Sequence, residues 1–248
     1  MPLYTADALI LRTYKLGEAD RIVIFLTADR GKRRGVANGA RRPKSKFAGG
    51  LEPLTLGRVA YFEREQRDLV RLQYVEPTCS PLKRATEDAL AHVSYFAELI
   101  DEWTLDADPA DALFRLGASV VEATTNGVSV DRLARYFEYW LLRLQGVYPT
   151  TATCSRCGRT LTNGAQMVPS AGTLECAGCK SPEHGVALSA EALEFLQRAK
   201  TVRPGQLGDI VLSTHGVRQL ASVHRLLIKA HLDKELKSER VLRELTDS

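Results

Sequence analysis

Two short runs decide the fold: Ala8-Leu-Ile-Leu-Arg-Thr-Tyr14 and Arg21-Ile-Val-Ile-Phe-Leu-Thr27. In the first, Ala8, Ile10, Arg12 and Tyr14 alternate with Leu9, Leu11 and Thr13, and the second is rich in β-branched residues, so both read as strands. A third strand begins near Lys32. A fourth, over Leu54 to Glu63, places Leu54, Leu56, Ala60 and Phe62 on one face. The fifth, Leu69 to Val75, alternates Val70, Leu72 and Tyr74 with Leu69, Arg71 and Gln73. Gly17, Gly31, Gly49-Gly50 and Arg67-Asp68 punctuate these runs. Five short strands in about 75 residues predict a small closed barrel, and the five-stranded OB-fold is the leading candidate because such barrels bind oligonucleotides across one face.

From Ser80 the pattern becomes helical. Ser80-Pro81 and Asp108-Pro109 each offer an N-cap residue followed by proline at the first helical position. Between Ser129 and Gly146, the residues Leu133, Tyr136, Phe137, Trp140, Leu141 and Leu144 follow the spacing of one helix face, and Gly146 sits where a terminating glycine belongs. Helical patterning resumes near Ser189 and again from about Thr214 to Leu236. The expected fold class is α+β and multidomain: an OB-fold barrel over 1–79, a helical bundle domain over 80–149 and 188–248, and an inserted four-cysteine zinc ribbon over 150–187.

The 248 residues, 44% apolar and 26% charged, are ordinary for a globular protein. No run of 18 apolar residues occurs, and Met1-Pro-Leu-Tyr-Thr-Ala-Asp7 lacks the charged and apolar regions of a signal peptide, so the expected location is cytoplasmic, with no membrane partner.

Charge points to the partner. Between Arg30 and Lys46 lie eight basic residues (Arg30, Lys32, Arg33, Arg34, Arg41, Arg42, Lys44, Lys46) and no acid, so this window carries +8 in a chain of net +4. Such a patch concentrates polyanions and releases their condensed counterions, which makes nucleic acid its natural ligand. Tyr14, Phe47 and Tyr61 are candidate platforms for base stacking, and each could equally be core. A second set of cations, Arg218, Arg225, Lys229, Lys234, Lys237, Arg240 and Arg243, is interleaved with Asp233, Glu235, Glu239 and Glu244 and reads as a solvated face first and an auxiliary DNA contact second.

Four of the five cysteines form Cys154-Ser-Arg-Cys157 and Cys176-Ala-Gly-Cys179, a C-x2-C-x18-C-x2-C spacing that marks a four-thiolate site for one structural Zn2+. Gly158 and Gly178 offer the knuckle turns. Four sulfurs fill the shell, so no position stays open for water or substrate. His184 could replace a cysteine but reads as a loop histidine, and the lone Cys79 reads as a packed thiol. A phosphate-binding Gly-x4-Gly-Lys-Ser/Thr loop, an H-E-x-x-H and a G-x-S-x-G are all missing, and Cys154 lacks the upstream His-x-Glu of a nucleobase deaminase. His224 and His231, seven apart, read as a half-buried structural pair. The residues assemble no catalytic constellation.

Gly17-Glu-Ala-Asp-Arg-Ile-Val-Ile-Phe-Leu-Thr-Ala-Asp-Arg-Gly31, Gly39-Ala-Arg-Arg-Pro-Lys-Ser-Lys46 and Leu51-Glu-Pro-Leu54 resemble, in order and spacing, the signature of the bacterial RecO proteins, the recombination mediator O family. The resemblance is specific at the N-terminus and covers the whole chain more loosely. It implies a non-enzymatic DNA-repair protein of the cytoplasm and nucleoid, with an N-terminal OB-fold, a helical domain and, in zinc-bearing members, a ribbon. It further implies binding of single- and double-stranded DNA, annealing of complementary strands, partnership with RecR, and RecA loading on strands coated by single-strand-binding protein. The residues alone leave two rivals: an RNA-binding or ribosome-associated zinc-ribbon protein, which would prefer RNA through 2′-hydroxyl contacts, and a zinc enzyme acting on nucleic acid.

Overall fold

Ala8, Leu9, Ile10 and Leu11 are buried in succession, because the first strand has cover on both faces. The structure is a computed structural model that describes residues 2–64, 68–83, 87–179 and 185–246. In it β1 (Leu3–Leu16), β2 (Asp20–Thr27), β3 (Gly31–Ala37), β4 (Leu56–Phe62) and β5 (Leu69–Cys79) close into a barrel in the order β1-β2-β3-β5-β4. All pairings are antiparallel except β3 with β5, which run parallel through Arg34–Leu69, Gly35–Val70 and Val36–Arg71. This is the expected OB-fold barrel. Ala8, Ile10, Val23, Phe25, Ala37, Val59, Tyr61, Val70, Leu72 and Val75 fill its interior, joined by Phe47 and Leu51 from the β3–β4 connection.

Two strand faces differ from expectation. On β4 the interior is lined by Val59 and Tyr61, not by the Leu54, Leu56, Ala60, Phe62 set. On β5 the register shifts between the pairs Ala60–Tyr74 and Tyr61–Leu72, so Gln73 is an extra residue; Tyr74 turns outward and Val75 inward. A bulge reverses parity, which strict alternation cannot anticipate.

Helices α1 (Glu87–Trp103) and α2 (Asp111–Thr125) follow the barrel. Gly117 of α2 faces β1, where an added Cβ would come within 2.6 Å of Leu9 Cδ1. Neither Pro pair starts a long helix: Ser80-Pro81 opens a short 3-10 turn, Pro81–Lys83, and Asp108-Pro109 lies in the α1–α2 connection. That connection runs beside the start of β3, with the Ala107 N–H donating to the Lys32 carbonyl at 2.9 Å. Its backbone occupies the space a side chain at position 31 would need, since a Cβ there would lie 2.0 Å from the Asp108 carbonyl oxygen, and Gly31 has φ +68°. Only glycine meets both conditions.

The chain then continues through α3 (Val130–Leu144), β6 (Ala165–Val168), β7 (Thr173–Glu175), β8 (Val186–Leu188), α4 (Ala190–Arg198), α5 (Thr214–Leu232) and α6 (Lys237–Thr246). Strands β7-β6-β8 form a small antiparallel sheet. Two compact units result: residues 1–125 with 236–248, and residues 126–235. In the first, Glu98 of α1 accepts hydrogen bonds from the backbone N–H groups of Lys237 (3.3 Å) and Ser238 (2.8 Å), satisfying donors that the first turn of α6 leaves open. In the second, α3 buries Leu133, Phe137 and Leu141 as its spacing requires, and Gly146 turns the chain at φ +71°. Among the described residues no helix is long and apolar enough to cross a membrane.

Candidate nucleic-acid interface and metal centre

The eight-cation run splits at the end of β3. In its first half, acids brought from elsewhere in the fold meet every cation. Lys32 is only 7% exposed; its Nζ donates to the Asp101 carbonyl at 2.7 Å and to the Asp101 carboxylate at 3.1 Å, with Asp106 3.7 Å away. Arg33 and Arg30 share Glu63 at 3.8 and 3.9 Å, and the Arg30 guanidinium lies 3.8 Å over the Tyr4 ring. Arg34 pairs with Asp106 at 3.1 Å and remains half exposed. Burial takes Lys32 out of reach of a phosphate, and the other three cations meet one only in competition with a carboxylate. These partners were invisible in the sequence because Asp101 and Asp106 follow Lys32 by some seventy residues.

The second half lies in the β3–β4 connection. Arg41, Arg42, Lys44 and Lys46 are exposed, and among the described residues no acid is within ion-pair range of any of them. Their backbone is a chain of turns: Ala40 N–H to Ala37, Arg42 to Gly39, Ser45 to Arg42, Ala48 to Ser45 and Gly50 to Phe47, at 3.1 to 3.3 Å. Gly39, Lys44 and Gly49 take positive φ. Two anchors hold this loop. Phe47 and Leu51 enter the barrel core, and the β1–β2 turn grips the other end through Gly39 N–H to the Asp20 carboxylate (2.7 Å), Arg41 N–H to the Ala19 carbonyl (2.9 Å) and the Arg41 guanidinium to the Gly17 carbonyl (2.9 Å). The resemblance segments Gly17 to Asp20 and Gly39 to Lys46 thus meet in space, with Asp20 as a positioning residue that charge counting passes over.

Of the aromatic candidates, Phe47 and Tyr61 are core, at 2% and 0% exposure, so they cannot stack on a base. Tyr14 is exposed on β1 with its hydroxyl accepting from the Arg12 guanidinium at 3.3 Å.

The C-terminal charge pattern also resolves differently. All the interleaved acids lie beyond α5: Asp233 and Glu235 follow its last turn, and Glu239 and Glu244 belong to α6 in the other unit. The nineteen residues of α5 contain no acid.

In the second unit, Cys154, Cys157, Cys176 and Cys179 place their Sγ atoms within 4.8 Å of one another, with Cys157 and Cys176 at 3.7 Å. A tetrahedral metal with bonds of about 2.3 Å requires sulfur separations of about 3.8 Å, so the cluster fits a metal ion. The first knuckle closes through Gly158 N–H to the Cys154 carbonyl (3.0 Å) with Gly158 at φ +71°, and the second through Cys179 N–H to the Cys176 carbonyl (2.9 Å) in a 3-10 turn. The Cys176 N–H donates to Cys154 Sγ at 3.3 Å, and this backbone donor, with those of the knuckle, holds the Cys154 thiol down to about 6. Cys179 moves the other way, because its hydrogen bond to Cys157, its burial and the neighbouring sulfurs favour the neutral thiol. Four thiolates at this spacing need a cation among them. His184 lies outside the described residues.

The two histidines of α5 do not form a pair. His231 is exposed, whereas His224 is fully buried between Glu138 (Nδ1 to carboxylate, 2.8 Å) and the Tyr148 hydroxyl (Nε2, 3.0 Å). Arg135 already pairs with Glu138 at 3.0 Å, so a neutral imidazole that donates from Nδ1 and accepts at Nε2 satisfies both neighbours. Burial accordingly lowers the His224 pKa below its ordinary value, outweighing the opposing pull of Glu138.

Comparison with known proteins agrees with this architecture. Residues 1–81 match the model for the recombination protein O N terminal domain, and residues 84–240 match that for the recombination protein O C terminal domain. Among named relatives, the DNA repair protein RecO of Geobacter sulfurreducens is 34% identical over 242 residues, 97% of each chain. That of Koribacter versatilis is 38% identical over 182 residues, 72% of this chain and 73% of its own. That of an Anaeromyxobacter species is 31% identical over 239 residues, 95% and 94% of the two chains. A closed N-terminal barrel, the helices after it, and domain matches that run from residue 1 to residue 240 together establish that this chain belongs to the RecO family of recombination proteins.

Proposed function

We propose that this protein is a non-enzymatic recombination mediator in DNA repair: it binds single- and double-stranded DNA, anneals complementary strands without nucleotide hydrolysis and, with RecR, aids RecA loading in the presence of single-strand-binding protein. Its proposed location is the cytoplasm, associated with the nucleoid. The observation that carries the reading is the anchored β3–β4 loop, which presents Arg41, Arg42, Lys44 and Lys46 to solvent with no acidic partner among the described residues. Cations that neutralise phosphates lower the repulsion between strands and leave bases free to pair, whereas base-specific contacts would hinder pairing. Arg34 at the end of the row would extend the path if a phosphate displaces Asp106. The ion proposed for the four cysteines is Zn2+, one per chain, in a structural role, since thiolates suit zinc and a complete sulfur shell leaves no site for a substrate.

The test is annealing of complementary oligonucleotides by the zinc-loaded protein without ATP or free magnesium. The wild type should accelerate annealing, and Lys44→Ala with Lys46→Ala should slow it while fold and zinc content stay unchanged. Absence of annealing in the wild type, cleavage of the oligonucleotide, or a stronger affinity for matched RNA would overturn the reading.

A further inference from the structure

We propose that the solvent-facing row of α5 is a second nucleic-acid backbone site, which takes one strand while the β3–β4 loop takes the other. The inference rests on the annealing function proposed above. It begins with a shortfall: with Lys32 buried and Arg30, Arg33 and Arg34 paired to acids, only four of the eight cations of the basic run lack an acidic partner among the described residues.

The chain's positive charge is elsewhere. Residues 126–235 hold thirteen Lys and Arg against nine Asp and Glu, net +4, which is the net charge of the whole protein; the barrel unit therefore sums to zero. Within the second unit α5 presents His215, Arg218, Ser222, Arg225 and Lys229, all exposed and spaced three or four residues apart on one face. At 1.5 Å per residue the row is about 21 Å long. Among the described residues, no acid pairs with Arg218 or Lys229.

An ordinary solvated helix explains this poorly. Such helices mix signs and gain from opposite charges four residues apart, whereas α5 has no acid in nineteen residues. The exposed Arg218 and Lys229, with no acidic partner among the described residues, leave positive charge for a polyanion to neutralise. The chemistry of the row, cations with a hydroxyl between them, suits a phosphate backbone. An acidic peptide held by apolar anchors would ask for a pocket, and the row has the half-exposed Leu226 at its side.

The test uses the full-length zinc-loaded chain and a fluorescent ten-residue oligo-dT, titrated at low salt to saturation, alongside the annealing rate of longer complementary strands. The wild type should bind two oligonucleotides per chain. Arg218→Gln with Lys229→Gln should bind one, lose about tenfold in annealing rate, and keep its affinity for that one within about twofold, because the loop is untouched. Lys44→Ala with Lys46→Ala should weaken the complementary site. The charge-reversed pair Arg218→Glu with Lys229→Glu should deepen the annealing defect. An α5 variant that binds and anneals like the wild type overturns the proposal and leaves the mediator reading standing. Preferential binding of polyglutamate to the row also overturns it. A wild type that binds no oligonucleotide overturns the mediator reading itself.

Discussion

Lys32→Met separates the two halves of the basic run. The substitution keeps most of the side-chain volume and deletes an ammonium that makes two hydrogen bonds to Asp101, a residue whose side chain is 11% exposed. Removing one partner of a buried pair costs about 3 to 5 kcal/mol when the remaining charge is left uncompensated. Arg12 stays 3.5 Å from the same carboxylate, which reduces the expected loss to roughly 2 to 3 kcal/mol and the melting temperature by roughly 6 to 10 °C. DNA affinity of the folded protein should be untouched. For Lys44→Ala with Lys46→Ala the pattern reverses: exposed substitutions leave stability within about 0.5 kcal/mol, while the slope of log affinity against log salt on single strands falls by about 1.4, at ~0.7 per phosphate. Thermal unfolding by circular dichroism and a salt series of oligo-dT binding on the same preparations read both quantities. If Lys32→Met melts like the wild type and loses about 0.7 from its salt slope, Lys32 is a phosphate contact and the division of the run is refuted.

Gly31→Ala should destabilise the barrel unit by more than about 2 kcal/mol, because a side chain at positive φ is disfavoured before the contact with Asp108 is counted; an unchanged urea midpoint would contradict the close approach. Cys157→Ser should lower metal content below one ion per chain and destabilise residues 126–235, with elemental analysis by mass spectrometry as the check. His224 has a folded pKa below its unfolded value of about 6.5, so the unfolded chain takes up the proton first. Its contribution is complete above that pH and is lost as pH falls from about 6.5 toward the folded value; urea midpoints between pH 8 and 5 should decline, and His224→Gln should flatten the decline.

What the sequence revealed followed the distance over which its signals act. The cysteine knuckles and the glycine-ended α3 depend on residues within a few positions, and both are found where spacing placed them. Barrel closure was legible from five strand-like runs, although the β5 bulge moved Tyr74 out and Val75 in without any local mark. The charged run was the hardest to read. Its density identified the surface, but whether each cation is free depends on Glu63, Asp101 and Asp106, which only the folded chain brings near. Composition over a window likewise merged α5 with the acids beyond it, and the end of the helix is what separates them.

The capping of α6 by Glu98 makes the barrel unit discontinuous along the chain, and this orders its biogenesis. Residues 126–235 form one continuous stretch of chain, while the unit begun first is completed only by the final helix. Until residues 237 and 238 emerge, Glu98 faces Arg12 without the backbone donors of the helix it will cap. A chain ended at residue 235 would therefore carry every residue of the second unit beside a barrel unit lacking its last piece, so protease resistance in such a truncation should be kept by residues 126–235 and lost first from residues 1–125.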